Sequence, residues 1–304
     1  MKQILIDPEI KLKDVRYKDL LPVQRALYLY AKNIYFDRKV RKNYFHVTSI
    51  FNSPRQYFLR LRHGKEIWDK LTVGDLDNFF WMLNGTAIHN YLTYFRVKHT
   101  WQDVKRLEMK VNNSIITGRP DMYFLRKRIL IDYKTTSVWT LPHIVDDYKY
   151  QLNLYRLMLW KEGYSVKKMF IEAILKDWQR AKIFEHNYPQ SFRQIIEVPF
   201  IDLKEMYEKT LIRVLFFESC QNLNDDKLPY CTKQERWSRG DTWALMKKGK
   251  KRAIKVFNSE EAAIAYGKTV PGAYIEYRPG KNQKCEMFCD VKEYCNQYWE
   301  SKDA

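Results

Sequence analysis

Short apolar runs and runs of helical spacing alternate along most of the chain. Strand patterns, with apolar residues in a continuous run or at every second position, occur at residues 107–111, 114–117, 129–134, 169–175 and 195–200. Helical spacing, with apolar residues three or four apart, occupies residues 11–42, 84–97, 143–163 and 202–220. This order predicts an α/β fold with a central mixed β-sheet flanked by helices.

The composition changes near residue 222, where Asn, Asp, Lys and Pro are crowded. Beyond that point, residues 242–257 have the pattern of a hairpin that turns at Gly249, and Ser259 is placed to cap a short helix. We therefore predict three parts, which are a basic helical segment at 1–44, an α/β core at 45–221, and a small cysteine-bearing α+β module at 222–304.

The net charge of the chain bears on its binding partner. The 304 residues include 54 Lys and Arg and 36 Asp and Glu, which gives a net charge of +18. An excess of this size indicates a polyanionic partner, and nucleic acid is the default candidate. The alternative is a lysine-rich surface without such a partner. Two groups of cations are candidates for phosphate contact: Arg55, Arg60 and Arg62 on a predicted helix, and a basic finger at the hairpin tip formed by Lys247, Lys248, Lys250, Lys251 and Arg252. For the basic finger, a solvated turn is the other interpretation.

The sequence shows no pattern of a membrane or export segment. No run approaches the roughly 18 apolar residues of a membrane-spanning helix. The first residues, MKQILIDPEIKLKD, lack the apolar stretch of a secretory signal. We therefore expect a protein without a membrane anchor that resides in the cytoplasm, or in the host cytoplasm if a phage encodes it.

Candidate chemistry is concentrated in a predicted hairpin that carries two carboxylates and a lysine. Asp121 and Asp132 fall on partner strands, and Asp132 and Lys134 project to one face because they are two residues apart on a strand. Two neighbouring carboxylates are the usual oxygen ligands for Mg²⁺ or Mn²⁺, and a lysine beside them can orient water or stabilise charge on a phosphate. The set suits metal-assisted phosphodiester hydrolysis. The alternative is a surface hairpin with scattered charges.

Four of the five cysteines fall late in the chain, at Cys231, Cys285, Cys289 and Cys295. In a cytoplasmic protein, such clustering favours a metal site over disulfides. The C-x3-C-x5-C spacing of the last three places their thiolates around one point, and Cys231 can complete a four-thiolate site for Zn²⁺ or a [4Fe–4S] cluster. The alternative is a set of reduced thiols that fill a small core.

Five short motifs follow one another along the predicted core: G-x3-H at Gly85–His89, Glu108 before a strand turn, G-x-P-D at Gly118–Asp121, D-x-K at Asp132–Lys134, and Q-x3-Y at Gln151–Tyr155. Together with the cysteines, this order resembles the PD-(D/E)XK nuclease superfamily, and most closely the RecB-like exonucleases of phages and CRISPR systems. The resemblance covers roughly residues 45–160. It implies a restriction-endonuclease-like core and a DNA nuclease, with an exonuclease favoured, that acts in recombination, repair or phage DNA processing.

The resemblance also implies a role for each matching residue. Lys134 would position or help activate the attacking water, and Gln151 would orient Lys134 or the scissile phosphate. Tyr155 would pack beneath the site or against DNA. The ligands implied for Mg²⁺ or Mn²⁺ are His89, Asp121, Asp132 and the carbonyl oxygen of Tyr133. Considered without the resemblance, His89 is interpreted as a hydrogen-bonded core histidine.

The cysteines depart from the family pattern. In its iron–sulfur members, one cysteine precedes the nuclease motifs and three follow, with C-x2-C in the last group. Here Ser53 stands at the expected place of the first cysteine, and the last group begins with C-x3-C. We therefore favour a structural zinc site over an iron–sulfur cluster.

The expected partner is DNA, either single- or double-stranded. No phosphate-binding glycine loop occurs in the sequence, so any unwinding would come from a recombination or helicase partner. The rival hypothesis is a nucleic-acid-binding protein that has a nuclease-like fold and little or no cleavage activity.

Overall fold

The computed structural model describes residues 7–36, 41–94 and 106–303. Their backbone clusters into two compact units. The N-terminal unit comprises the described parts of Met1–Pro54 and Leu61–Leu223, and the C-terminal unit comprises Arg55–Arg60 and the described part of Asn224–Ala304.

The N-terminal unit contains the helices α1 (Pro22–Tyr35), α2 (Val47–Ile50), most of α3 (Pro54–Lys70), α4 (Phe80–Tyr94), α5 (Ile144–Lys161) and α6 (Leu203–Cys220). The prediction of one helix over 11–42 is wrong. Two single 3-10 turns precede α1, which begins at Pro22 because proline suits the first helical position and the Gln24 side chain accepts a hydrogen bond from the Leu21 N–H at 3.0 Å. Residues 37–40 of the predicted helix lie outside the described residues.

A first, three-stranded sheet lies in the N-terminal unit. It is formed by β1 (Tyr44–His46), β2 (Leu107–Val111) and β3 (Ser114–Gly118) in the order β1-β3-β2. Strand β1 runs parallel to β3, and β2 runs antiparallel to it. The turn between β2 and β3 is confirmed, because Asn112 adopts the positive φ of 52° that asparagine tolerates better than most residues.

A second, four-stranded sheet carries Asp132, and its first strand begins directly after Asp121. Its strands β4 (Met122–Phe124), β5 (Ile129–Thr136), β6 (Lys168–Leu175) and β7 (Arg193–Glu197) pair in sequence order. Strands β5 and β6 are parallel, and the other pairs are antiparallel. The β4–β5 hairpin and the mixed character of the sheet are confirmed, and the unit is a mixed α/β structure.

Helix α5 supplies much of the apolar core beside these sheets. Leu152, Leu154 and Leu159 are fully buried. The helix ends just before Gly163, whose φ of 85° favours glycine, as the sequence predicts. Helix α6 is capped by Asp202, whose carboxylate accepts from the backbone N–H of Lys204 at 2.8 Å.

The C-terminal unit has two small antiparallel sheets. Strands β9 (Thr242–Lys247), β10 (Lys255–Phe257) and β11 (Ala273–Arg278) form one in the order β10-β9-β11, and β8 (Ser238–Arg239) pairs with β12 (Lys281–Asn282). Its helices are α7 (Glu260–Gly267), α8 (Gln283–Met287) and α9 (Asn296–Asp303). The hairpin turn at Gly249, with φ 83°, and the Ser259 cap are confirmed. The basic finger at the β9–β10 turn is exposed.

The first residues of α3 belong to the C-terminal unit and not to the predicted core at 45–221. Arg55 explains the difference, because its guanidinium is buried and donates to the Pro229 carbonyl oxygen at 3.2 Å and to Asn296 Oδ1 at 2.6 Å. Arg60 forms a two-pronged ion pair with Asp290, in which Nη2 lies 2.6 Å from Oδ1. The prediction that these arginines face phosphate is therefore wrong.

Arg62 is the third arginine of that group, and it belongs to the N-terminal unit. Its guanidinium donates to the carbonyl oxygens of Cys220 and Gln221, at 3.4 and 3.2 Å. Arg62 therefore satisfies backbone carbonyl oxygens at the C-terminal end of α6.

Within the described residues, no helix combines the length and the apolar character needed to cross a bilayer.

Candidate active site

Strand β5 presents Asp132 and Lys134 on one face, as the two-residue spacing predicts. Asp132 is 3% exposed, and the Lys134 ammonium lies 2.6 Å from its Oδ2. Gln151, on α5, donates from Nε2 to Asp132 Oδ1 at 2.9 Å. The structure thus brings together three of the predicted residues from a strand and a helix.

The ionised form of the Asp132 carboxylate is energetically unfavourable in this buried position. Burial raises its pKa to about 6, the Lys134 ammonium offsets part of that rise, and the neighbouring Asp121 carboxylate adds to it. Apart from its ion pair with Lys134, the buried Oδ2 has no hydrogen-bond partner among the described residues. An additional cation at this oxygen would favour the ionised carboxylate.

Lys134 is held in its protonated form. Burial lowers the pKa of Lys134, but the charge of Asp132 and the contact with it have the opposite effect, and the net pKa is raised. The ammonium also lies 4.4 Å from the centre of the Tyr148 ring, which favours a cation. A lysine in this state can donate hydrogen bonds and stabilise negative charge, but it cannot accept a proton from water.

Asp121 lies immediately before β4 and is fixed by the neighbouring strand. Its Oδ2 accepts a hydrogen bond from the backbone N–H of Tyr133 at 2.8 Å, and its Oδ1 lies 3.3 Å from His89 Nδ1. The Tyr133 ring is buried and meets the His89 ring edge to face at 6.0 Å. His89 is therefore beside the acidic pair and is not a core histidine remote from it. The role of the Tyr133 carbonyl oxygen stays a prediction.

Helix α4 carries His89 and begins earlier than predicted. It starts at Phe80 because a 3-10 helix over Gly74–Phe79 leads directly into it, so Gly85 is in the helix interior. Among the described residues, a Cβ built on Gly85 would meet only Thr135 of β5, at an ordinary contact distance of 3.9 Å. The glycine of the G-x3-H motif is thus not required by space, and its position shows that α4 approaches β5.

Tyr155 is a buried residue that packs close to Gly118, three residues before Asp121. Its side chain is 2% exposed, and a Cβ built on Gly118 would be 2.7 Å from its Cε1 atom. Burial raises the pKa of Tyr155, with smaller contributions from the Asp132 and Asp121 carboxylates. Because the ring is enclosed, the interpretation that it faces DNA is not supported, and we assign Tyr155 a positioning role.

Glu108 is separate from the acidic pair in the contacts that the structure describes. It lies exposed on β2, where its carboxylate accepts a hydrogen bond from the Tyr44 hydroxyl. Its register partner is Thr117 on β3. The hydrogen bond links Glu108 of β2 to Tyr44 of β1, which gives Glu108 a structural role.

The four late cysteines line one pocket in the C-terminal unit. Arg55 lines it too, with Nη1 3.8 Å from Cys295 Sγ, and this cation was missed as a site residue in the sequence because its partners are remote along the chain. Burial raises the pKa of Cys289 to about 12. It also raises the pKa of Cys285, to which Cys231 and Cys295 contribute as neighbouring thiols.

Among the described residues, neither candidate metal site has a complete set of protein ligands in place. Within residues 7–36, 41–94 and 106–303, no group of three or more His, Cys, Asp or Glu side chains is arranged to hold a metal ion. Mg²⁺ does not need such a group, because it commonly takes one or two carboxylates and keeps several waters. A four-thiolate site does need it, so the thiols would have to draw together.

Comparison with known proteins gives little further information. No protein family and no curated protein matches the chain. The crystal structure of SSO0001 aligns with 66% of this chain and 85% of its own, with 19% identity and a TM-score of 0.44. A phage-related exonuclease from Haemophilus somnus 129PT aligns with 64% of this chain and 80% of its own, with 13% identity and a TM-score of 0.28. Similarity this weak does not establish a fold family or an activity for this chain.

Proposed function

We propose that this protein is a divalent-metal-dependent DNA nuclease that hydrolyses phosphodiester bonds. The observation that carries the proposal is the burial of Asp132 in contact with both Lys134 and Gln151, with the Asp121 carboxylate close enough to raise its pKa. A structural ion pair at a surface has no need of two adjacent carboxylates and a buried lysine. Groups with strongly perturbed pKa values concentrate at functional sites.

The side chains present suit Mg²⁺ or Mn²⁺. Both ions prefer oxygen ligands, and Asp132 Oδ2 is a buried oxygen that lies against the Lys134 ammonium and, within the described part of the chain, accepts no hydrogen bond from any other group. Asp121 and Asp132 would hold the ion, with the Tyr133 carbonyl and His89 as the further ligands that the resemblance implies. When bound, such an ion stabilises the negative charge of the reacting phosphate and favours the ionised form of water.

The protein's own groups have separate tasks in this proposal. The protonated Lys134 donates a hydrogen bond to the attacking water or to a phosphate oxygen. Gln151 holds Asp132 in its rotamer through the 2.9 Å hydrogen bond. Tyr155 and the backbone at Gly118 position the segment that leads to Asp121. Each task is one of binding or orientation, which can account for a large part of a barrier reduction.

The finer family assignment is also a proposal. Along the chain, α4 carries His89, Asp121 directly precedes β4, β5 carries Asp132, and α5 carries Gln151 and Tyr155. This is the order of motifs on which the PD-(D/E)XK resemblance depends. The mixed sheet with flanking helices is compatible with a restriction-endonuclease-like core. The preference for an exonuclease over an endonuclease follows from the resemblance alone.

DNA is the partner that the charge supports. The net charge of +18 favours a polyanion, and the exposed basic finger offers five cations at one turn. The rival proposal, binding without cleavage, requires no buried Asp132–Lys134 pair. We therefore favour the enzyme.

A second metal is proposed at the cysteine pocket, either one Zn²⁺ or a [4Fe–4S] cluster. Four thiols line one pocket, and a bound metal would supply the charge that stabilises their thiolate forms, because burial alone raises the pKa of Cys285 and of Cys289. The soft thiol ligands would keep this metal distinct from Mg²⁺ at the carboxylates. Elemental analysis and visible absorption separate the choices, because zinc leaves the protein colourless and a cluster makes it brown.

The test of the nuclease is cleavage of end-labelled single- and double-stranded DNA with Mg²⁺ or Mn²⁺ by the wild type and by Asp132→Asn. The variant keeps an oxygen for Gln151 but loses the charge, so cleavage should fall below detection while DNA binding in Ca²⁺ persists. Asp146→Asn is the matched control, because Asp146 is an exposed aspartate on α5 paired with Lys149. Cleavage by Asp132→Asn at the wild-type rate would overturn the assignment.

A companion variant, Lys134→Ala, separates metal binding from turnover. The carboxylates remain, so calorimetry should still detect Mn²⁺ binding, while turnover should collapse because the orienting ammonium is missing. Loss of Mn²⁺ binding in this variant would contradict the role given to Lys134.

A further inference from the structure

Two tryptophans at the end of the candidate active site are more exposed than their size would lead us to expect. Trp139 is 84% exposed and Trp81 is 52% exposed. Large aromatic side chains usually bury most of their surface, and exposed apolar groups that cluster mark a binding site more often than chance. Neither indole is used by the catalytic groups described above.

Two consecutive residues after β6 link the two tryptophan-bearing segments: Lys176 contacts Trp81, and Asp177 binds the backbone next to Trp139. The Lys176 ammonium lies 4.5 Å from the centre of the Trp81 ring, and its backbone N–H donates to the carbonyl oxygen of Thr136, the last residue of β5, at 2.9 Å. The next residue, Asp177, accepts a hydrogen bond from the Val138 N–H at 2.8 Å, which fixes the start of the 3-10 helix that carries Trp139. We call Trp81, Trp139 and Lys176 the tryptophan rim.

The tryptophan rim lies in line with the catalytic groups on two elements. Trp81, Gly85 and His89 are four residues apart on α4 and so share one face. Eight residues of helix place Trp81 about 12 Å along the axis from His89. On β5, the four residues from Asp132 to Thr136 span about 13 Å. Along both α4 and β5, the tryptophan rim is therefore on the order of 12 to 13 Å from the residues of the acidic site, within the N-terminal unit.

We propose that the tryptophan rim binds the unpaired nucleotides of single-stranded DNA by stacking their bases on the indoles. This inference rests on the proposed nuclease function and names its substrate as a single strand or a frayed end. Stacking needs an exposed π-face near a cation that attracts phosphate. Trp139 is the more exposed ring, Trp81 is half-exposed with the Lys176 ammonium over its ring, and Lys176 is the cation. The bases of an intact duplex are already stacked on one another and offer no free face to the rim.

The test is binding of a fluorescein-labelled single-stranded oligonucleotide, and of a blunt duplex of the same sequence, to the full-length protein in EDTA. Trp139→Ala should weaken single-strand binding by roughly 5- to 150-fold, the range expected for loss of one base stack. Trp81→Ala should act in the same direction. Duplex binding should change by less than about twofold, and the salt dependence should stay the same because indole carries no charge.

Two controls make the result specific. Trp139→Phe keeps an aromatic ring and should retain most of the single-strand affinity. Trp160→Ala removes another exposed tryptophan, 55% exposed at the end of α5, and should have no effect. If Trp139→Ala binds the single strand as tightly as the wild type, or loses duplex affinity equally, the tryptophan rim does not bind unpaired bases.

Failure of this inference can be told apart from failure of the nuclease proposal. If Asp132→Asn lacks cleavage and Trp139→Ala binds single strands normally, the stacking role alone is refuted. If Trp139→Ala loses single-strand binding while the wild type cleaves nothing, the stacking role stands and the hydrolytic proposal is refuted.

Discussion

Gly118 is the position where a single added methyl group should reveal how the candidate active site is supported. A Cβ there would be 2.7 Å from Tyr155 Cε1, 2.8 Å from Val47 Cγ2 and 3.1 Å from the Tyr155 hydroxyl. All three distances are shorter than ordinary van der Waals contact. Tyr155 and Val47 are both buried, so neither can move aside into solvent.

Gly118→Ala is therefore expected to overpack the core. Overpacking of this kind typically costs about 1 to 3 kcal/mol. For a unit of this size, such a loss corresponds to a fall in Tm of about 2 to 12 °C. Urea denaturation should show a lower midpoint with an unchanged m value, because the native fold is retained and only its stability changes.

Gly85→Ala is the matched control, because it changes the other motif glycine in the same unit. Of the described residues, only Thr135 is near its Cβ, at 3.9 Å, and the glycine is inside α4. Replacing a glycine in a helix interior by alanine stabilises by about 0.5 to 1 kcal/mol. The two substitutions should thus have opposite signs. A Gly118→Ala variant as stable as the wild type would refute the packing argument.

A double-mutant cycle with Val47→Ala tests the cause of the strain. Val47→Ala removes the methyl group that an alanine at position 118 would meet at 2.8 Å. The combined variant should be less destabilised than the sum of the single variants, by about 0.5 kcal/mol or more. Strict additivity would show that Val47 does not cause the strain.

The other predictions concern the C-terminal unit. Replacing the finger lysines Lys248, Lys250 and Lys251 by Ala should flatten the salt dependence of duplex binding by about 0.9 in the log–log slope for each phosphate that is no longer neutralised, and an unchanged slope would favour a solvated turn. Cys289→Ser should lower Tm and remove the tightly held zinc or iron measured by elemental analysis, because a structural metal contributes folding free energy. Cys220→Ala should keep that metal, since Cys220 is in α6 of the N-terminal unit. Absence of both metals from aerobic and anaerobic wild-type preparations would refute the metal site.

Local sequence signals predicted the elements around the candidate site well. The β4–β5 hairpin follows from an apolar run beside a short basic turn, and the positive φ of 57° at Arg128 closes that turn. The shared face of Asp132 and Lys134 follows from strand geometry alone. These features depend on neighbours a few residues away, which is why the sequence can indicate them.

Features that depend on distant partners could not be predicted in this way. Arg55 has the appearance of a surface arginine, but its guanidinium is bound by groups more than 170 residues away in the chain. The need for glycine at position 118 arises from Tyr155, a residue on another element. The sequence also leaves α1 too long, because helical spacing does not distinguish an α-helix from two 3-10 turns before it.

The division of α3 between the two units bears on how the polypeptide matures during translation. Arg55–Arg60 leave the ribosome early, but the residues they belong with begin at Asn224. Arg55–Arg60 therefore cannot reach their final contacts until the residues from Asn224 onward have been made, and a separately expressed piece beginning at residue 224 would lack the Arg55 side chain that donates to the Pro229 carbonyl oxygen. Supplying residues 55–60 as a separate peptide, and finding whether it restores a folded C-terminal piece, would measure how far these few residues determine the folding of that unit.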